Sequence, residues 1–112
     1  MNKTYIYVFT RKDLSASQIA VQSIHSAFEL GREWEGIHPS IVLLKVKNSN
    51  ELNKVGDFLK QHDLIFKSFK EPYYDNTITS ITVGPISEEN KILFKKFKLL
   101  RNHDFKQGDN NG

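Results

Sequence analysis

With 112 residues, of which 38% are hydrophobic and 26% charged, the chain has the size and composition of one globular domain around one core. It has no cysteine, which excludes disulfides, thiolate metal sites and cysteine nucleophiles and fits a cytoplasmic protein. A net charge of +3 permits a polyanionic partner without requiring one, and no apolar run approaches the about 18 residues of a membrane span.

Met1-Asn2-Lys3 leads directly into strand-like sequence, so no cleaved signal peptide is expected. Thr4 to Thr10 (Thr-Tyr-Ile-Tyr-Val-Phe-Thr) is a near-continuous apolar run and predicts a strand buried on both faces. The polar turn Arg11-Lys12-Asp13-Leu14 follows. Ser15 and Gln18 then have the spacing of a capping box, so a helix is expected from there to Gly31. Ala16, Ala20, Ile24, Ala27 and Phe28 recur at helical spacing, and the small residues among them are expected to let this stripe lie close on a sheet.

A loop with Trp34, Gly36, His38 and Pro39 leads to a second strand over Ile41 to Val46. Asn48 or Ser49 is expected to cap a helix running to about His62, with Leu52, Val55, Phe58 and Leu59 on its apolar stripe. Leu64 to Phe69 predicts a third strand. Pro72, Asp75 and Asn76 give the stretch from Lys70 to Asn76 a turn composition. Thr77 to Val83 predicts a fourth strand, ended by Gly84-Pro85. Ser87-Glu88-Glu89-Asn90 is expected to open a third helix, acidic in its first turn, with Leu93, Phe97 and Leu100 on one face and Lys91, Lys95 and Lys98 on another. The polar tail from His103 is expected to be disordered, leaving residues 1–102 as the domain.

The order β-α-β-α-β-β-α predicts an α/β fold of three α/β/α layers around a four-stranded mixed sheet. The first three strands, separated by helical crossovers, can run parallel. The link to strand four is too short for a crossover, which makes that strand antiparallel.

Arg11-Lys12-Asp13-Leu14, followed on the first helix by Ala20-Val21-Gln22-Ser23-Ile24-His25-Ser26-Ala27, resembles the opening block of the second-class (archaeal and eukaryotic-type) peptidyl-tRNA hydrolases. Those proteins carry Arg-x-Asp-Leu, then Gly-Lys, then Ala-Ala-Gln-x-x-His-Ala. Glu71-Pro72 and Thr79-Ser80-Ile81-Thr82-Val83-Gly84-Pro85 resemble the second block of the family, closest to a shorter subgroup with Glu-Pro-Asp-Leu and then Thr-Ala. The likeness spans residues 5–100. It implies the family's three-layer fold, a role in translation, and hydrolysis of the ester joining a peptide or another N-blocked amino acid to the 3′ end of tRNA. It also implies pairing as a homodimer, and no cofactor is expected.

By position, the resemblance gives the family's acidic role to Glu71 and its threonine role to Thr79, while Gln18 stands where the family has its catalytic lysine. Ser17 replaces the preceding glycine. A lysine there is a cation able to hold phosphate or developing negative charge, and glutamine offers a neutral donor instead. Arg11, Lys12, Lys67 and Lys70 are the expected tRNA contacts; Asp13, Gln22 and His25 are expected to support the site. The basic stripe of the last helix, with Lys96 and Arg101 nearby, is a second candidate for phosphates. The four histidines lack metal spacing, so no metal is expected, and His38 is given no role. Two alternatives stand beside catalysis. One is a weakened or inactive relative that binds tRNA or a nucleotide; the other is a protein-interaction module using its sheet or the Trp34 loop.

Overall fold

The structure, a computed structural model, describes residues 3–36 and 38–105. Its elements are β1 (Thr4–Arg11), α1 (Ala16–Gly31), β2 (Ser40–Val46), α2 (Ser49–Gln61), β3 (Phe66–Glu71), β4 (Thr77–Ser87) and β5 (Lys98–Leu99). Short 3-10 turns lie at Pro72–Tyr74, Glu89–Phe94 and Asn102–Asp104. The result is a mixed α/β fold on one sheet of five strands in the order β3-β4-β1-β2-β5. β1 and β2 are parallel; β4 is antiparallel to both β1 and β3, and β5 to β2. Strand four is therefore antiparallel as expected, but the expected count of four strands is one short.

The extra strand replaces the third helix. Phe94, 3% exposed, stacks on Tyr7 with ring centroids 4.1 Å apart, and Phe97 meets Phe9 edge-on at 4.8 Å. These two anchors pull the chain down onto the sheet as tight turns, and aromatic packing overrides the helical spacing of Leu93, Phe97 and Leu100. The chain then runs beside β2, whose outer edge would otherwise be unpaired, and Leu100 N–H donates to Leu43 O at 3.0 Å. No basic helix stripe of Lys91, Lys95 and Lys98 exists. Lys98 lies in a strand, and Lys91 bonds to Tyr5 and Glu88 instead.

The two helices cover opposite faces of the sheet. Tyr5, Tyr7, Phe9, Ile81 and Val83 form the main core with Leu52, Val55 and Leu59 of α2, as the stripe of that helix predicts. Asn48 is its N-cap and accepts from Glu51 N–H at 3.1 Å. The other face presents Thr10, Ser80 and Thr82, all at most 1% exposed, to α1. Buried hydroxyls need partners: Thr10 donates to Leu44 O at 3.3 Å, and α1 turns Gln22 and Ser26 inward to serve the other two. Ser26 and Thr82 share a hydrogen bond at 2.7 Å, and Ser80 donates to the Gln22 carbonyl.

This corrects the expected apolar stripe of α1. Its buried residues are Ile19, Gln22, Ser23, Ser26 and Leu30, whereas Ile24 and Phe28 are each 66% exposed. The capping at Ser15 is as expected, with its side chain accepting from Gln18 N–H.

β4 continues past Gly84-Pro85, which was expected to end it. At Gly84 (φ +144°) a Cβ would lie 2.8 Å from Tyr5 O, so only glycine lets β1 and β4 approach here. In the turn before β4, Asp75 and Asn76 take left-handed backbone (φ 54° and 58°), the conformation their short polar side chains tolerate best. Of the expected tail, residues 103–105 follow the sheet closely. Asp104 pairs with Lys45 at 2.7 Å, and residues 106–112 lie outside the described residues. Among the described residues no helix is long and apolar enough to cross a membrane.

Candidate functional site

The two sequence blocks that carry the resemblance meet where β1 ends. Arg11, the last residue of β1, has an 11% exposed side chain and forms a fork with Asp13: Nε donates to Oδ1 at 3.0 Å and Nη2 to Oδ2 at 2.8 Å. Its Nη1 reaches across to the start of β4, donating to Thr77 Oγ1 and to Ile78 O, each at 3.1 Å. Asp13 thus orients Arg11. The guanidinium ties β1 to the β3–β4 hairpin and is not a loose cation at the rim.

A second link lies almost two turns into α1. Gln22, 2% exposed, receives a bond on Oε1 from the Thr79 hydroxyl at 2.7 Å, and its Nε2 donates to Gln18 Oε1 at 3.1 Å. The Thr79 hydroxyl is also 3.2 Å from Phe69 O, so its single proton serves two acceptors. Thr79 owes this place to an irregularity in the β3–β4 register between Phe69 and Lys70, which pair with Ser80 and Ile78. At 0% exposure it lies beneath α1, out of reach of any substrate. Its hydroxyl fixes Gln22, which in turn holds Gln18.

Glu71 closes β3, paired in register with Thr77. It is half-buried, and its carbonyl accepts from Asn76 N–H at 3.1 Å, closing the turn. Thr77 is the residue that position-matching passes over. Its hydroxyl donates to Tyr74 O at 2.7 Å and accepts from Arg11, so it stands between the Arg11 clamp and the Glu71 turn. Its register opposite Glu71 is the signal that a hairpin reading of the turn could have used.

The remaining expected residues are more scattered. His25 is exposed and stacks flat on Phe69, with ring centroids 4.2 Å apart and planes at 6°, a packing contact that supports the α1–β3 junction. Lys67 forms an ion pair with Glu33 at 3.0 Å, whereas Lys12 and Lys70 are exposed. Among the described residues there is no group of three or more His, Cys, Asp or Glu placed to hold a metal.

Chemically, this end of the sheet offers the half-buried Glu71 beside its turn, the Thr77 hydroxyl on the strand residue paired with it, and the Arg11 guanidinium bonded to that hydroxyl. Such a set can orient a water or a hydroxyl group and accept its proton.

No family model matches this sequence, and no curated protein matches it. Among solved structures, the chain is similar to Atu0240, a protein of unknown function from Agrobacterium tumefaciens strain C58. The TM-score is 0.68 at 14% identity, over 90% of this chain and 100% of the other. The likeness shows a shared mixed α/β fold.

Proposed function

We propose that the chain has the fold of the second-class peptidyl-tRNA hydrolases and cleaves the ester between a peptide, or another N-blocked amino acid, and the 3′ end of tRNA. What supports this reading is the hydrogen bond from Thr79 to Gln22 at 2.7 Å. It joins the two sequence blocks that carry the resemblance into one end of the sheet.

In this reading Glu71 takes a proton from water as the water oxygen attacks the ester carbonyl. The carbonyl–oxygen bond to the ribose then breaks, and the ribose oxygen leaves with a proton returned from the carboxyl group. Arg11, Asp13, Gln22 and Thr79 are positioning residues, and Lys12 and Lys70 offer their exposed ammonium groups to the tRNA. Hydrolysis of N-acetyl-aminoacyl-tRNA by the wild type should fall at least about a hundredfold in Glu71→Gln, the scale of a lost general base. Wild-type turnover by the folded Glu71→Gln protein would remove Glu71 from the mechanism.

A specific observation favours a second reading, a relative that binds tRNA with little or no turnover. Gln18, which stands in the lysine's place, is a neutral amide already bonded to Gln22. A marked gain of hydrolysis in Gln18→Lys would mark the natural site as attenuated.

Self-association also enters here as a proposal. Val21, Ile24 and Phe28 share the outer side of α1, and on the same side of the sheet Ile41 is 68% exposed. A second copy is the proposed cover. Sedimentation should show a dimer that Phe28→Asp dissociates, and a monomer at all concentrations would end this proposal.

A further inference from the structure

Six lysines (Lys12, Lys45, Lys47, Lys54, Lys96 and Lys98) line a cleft of about 530 Å³ between α2 and the chain that follows the Glu89–Phe94 turn. Among the described residues Glu51 is the one carboxylate in this lining, and its Oε1 accepts from the backbone N–H of Lys47 at 2.7 Å. Lys45 is committed to Asp104. The other five ammonium groups have no carboxylate within ion-pair distance among the described residues. Like charges lining one cleft repel one another over a screening length of about 8 Å at physiological salt, and a bound polyanion removes that repulsion.

The position of the cleft carries the same message. Lys12 follows β1 and Lys47 follows β2, two parallel strands joined by the backbone bond from Lys12 N–H to Val46 O at 2.9 Å. From these two strand ends α1 leaves to one face of the sheet and α2 to the other. That divergence opens the crevice in which open α/β sheets bind ligands.

The floor is apolar, made by Val46, Val55, Phe58 and Phe97. The rings of Phe58 and Phe97 meet edge-on at 5.6 Å, and Lys96 Nζ lies 3.9 Å from the Phe58 centroid. Cations beside aromatic faces match a strand of nucleotides, whose phosphates take the charge and whose bases stack. A lone phosphate would use neither the floor nor so many lysines.

We propose that this cleft binds a short stretch of single-stranded RNA, with phosphates on the lysines and bases against the apolar floor, where Lys96 moves from the Phe58 ring to a phosphate. The choice of RNA rests on the tRNA reading above. The binding test contains no ester, so the two can fail separately: loss of hydrolysis with binding kept overturns only the ester reading.

The probe is a fluorescein-labelled octameric oligoadenylate, followed by fluorescence anisotropy across a salt series. Lys54→Glu/Lys96→Glu should weaken binding by about tenfold or more and flatten the log–log salt slope by roughly 1.4, since a single strand gives about 0.7 per phosphate contact. Lys60→Glu/Lys95→Glu changes net charge equally outside the cleft lining and should stay within about threefold of wild type after screening. Circular dichroism and denaturation midpoints show that each variant is folded. Equal losses in both double variants would reduce the effect to net charge and overturn the site, as would wild-type binding by the cleft variant. Affinity that does not rise from adenosine monophosphate to the octamer would overturn the strand in favour of a free nucleotide.

Discussion

The hydroxyl of Thr79 lies 2.7 Å from Gln22 Oε1, and both side chains are sealed between α1 and the sheet. A threonine matched by position to a catalytic one is in this fold a fastener. Thr79→Val keeps the shape but leaves the Gln22 carboxamide short of a donor. Stability should fall by about 1–3 kcal/mol, the cost of an unsatisfied buried polar group. Thr79→Ser should keep most of it, and urea denaturation of the two variants distinguishes them. Equal stability of Thr79→Val and wild type would mean that the bond contributes nothing.

Arg11 should matter more to folding than to substrate binding. Its guanidinium makes four hydrogen bonds that join the β1 end to Asp13, Thr77 and Ile78. Arg11→Met should cost roughly 2–4 kcal/mol, below the range for fully buried pairs because the Asp13 side chain is 39% exposed. Arg11→Lys should recover less than half, since an ammonium cannot reproduce the fork. Chemical denaturation checks both, and a fully stable Arg11→Lys protein would contradict the clamp.

Acid should release the C-terminal segment. The Lys45 ammonium, helped by the Arg101 backbone N–H, holds the Asp104 carboxyl below the ordinary aspartate value. The folded form therefore takes up this proton less readily than the unfolded chain, whose aspartate titrates near ~3.9. The contribution of the pair is present above that pH and is lost as pH falls through the lower folded value. Amide shifts of residues 98–105, followed by NMR from neutral pH downward, should move together at the Asp104 titration. Asp104→Asn should abolish that step, and titration at the ordinary value would count against the pair.

Gly84→Ala should be among the most damaging small changes. The added methyl would stand 2.8 Å from Tyr5 O and 3.1 Å from Ile6 Cγ1, on backbone that L-residues rarely adopt. Strain and overpacking together set a loss of about 3 kcal/mol or more, read as a lowered denaturation midpoint. An unchanged midpoint would mean that the β1–β4 contact is far softer than its geometry.

What the sequence made legible follows from what each element packs against. The period of α2 was readable because its partners, Tyr7, Phe9 and Ile81, are apolar, so Leu52, Val55 and Leu59 had to face them. α1 defeated the same logic because its side of the sheet carries Thr10, Ser80 and Thr82. Gln22, Ser23 and Ser26 face inward there beside Ile19 and Leu30, while Ile24 and Phe28 were left outside. β5 is a two-residue edge strand, too short to show a period, and the spacing of Leu93, Phe97 and Leu100 around it mimics a helix face. At the candidate site, Asp13 beside Arg11 could be located from local sequence, whereas Glu71 was singled out by the family resemblance alone. The Arg11–Thr77 contact spans 66 positions, and the lysine cleft is assembled from separate segments, so neither leaves a linear trace.

The sheet has one oily face and one hydroxyl-bearing face, which gives its two sides different thermal characters. Exposing apolar surface raises the heat capacity, and exposing polar surface lowers it. Freeing α2 uncovers the cluster of Tyr7, Phe9, Ile81 and Val83, whereas freeing α1 uncovers Ile19 and Leu30 together with the polar Thr79, Ser80, Thr82 and Gln22. The grip on α2 therefore slackens as the protein is cooled, and that on α1 varies less with temperature. Near the cold limit α2 should loosen first, opening the molecule on the side that holds the lysine cleft.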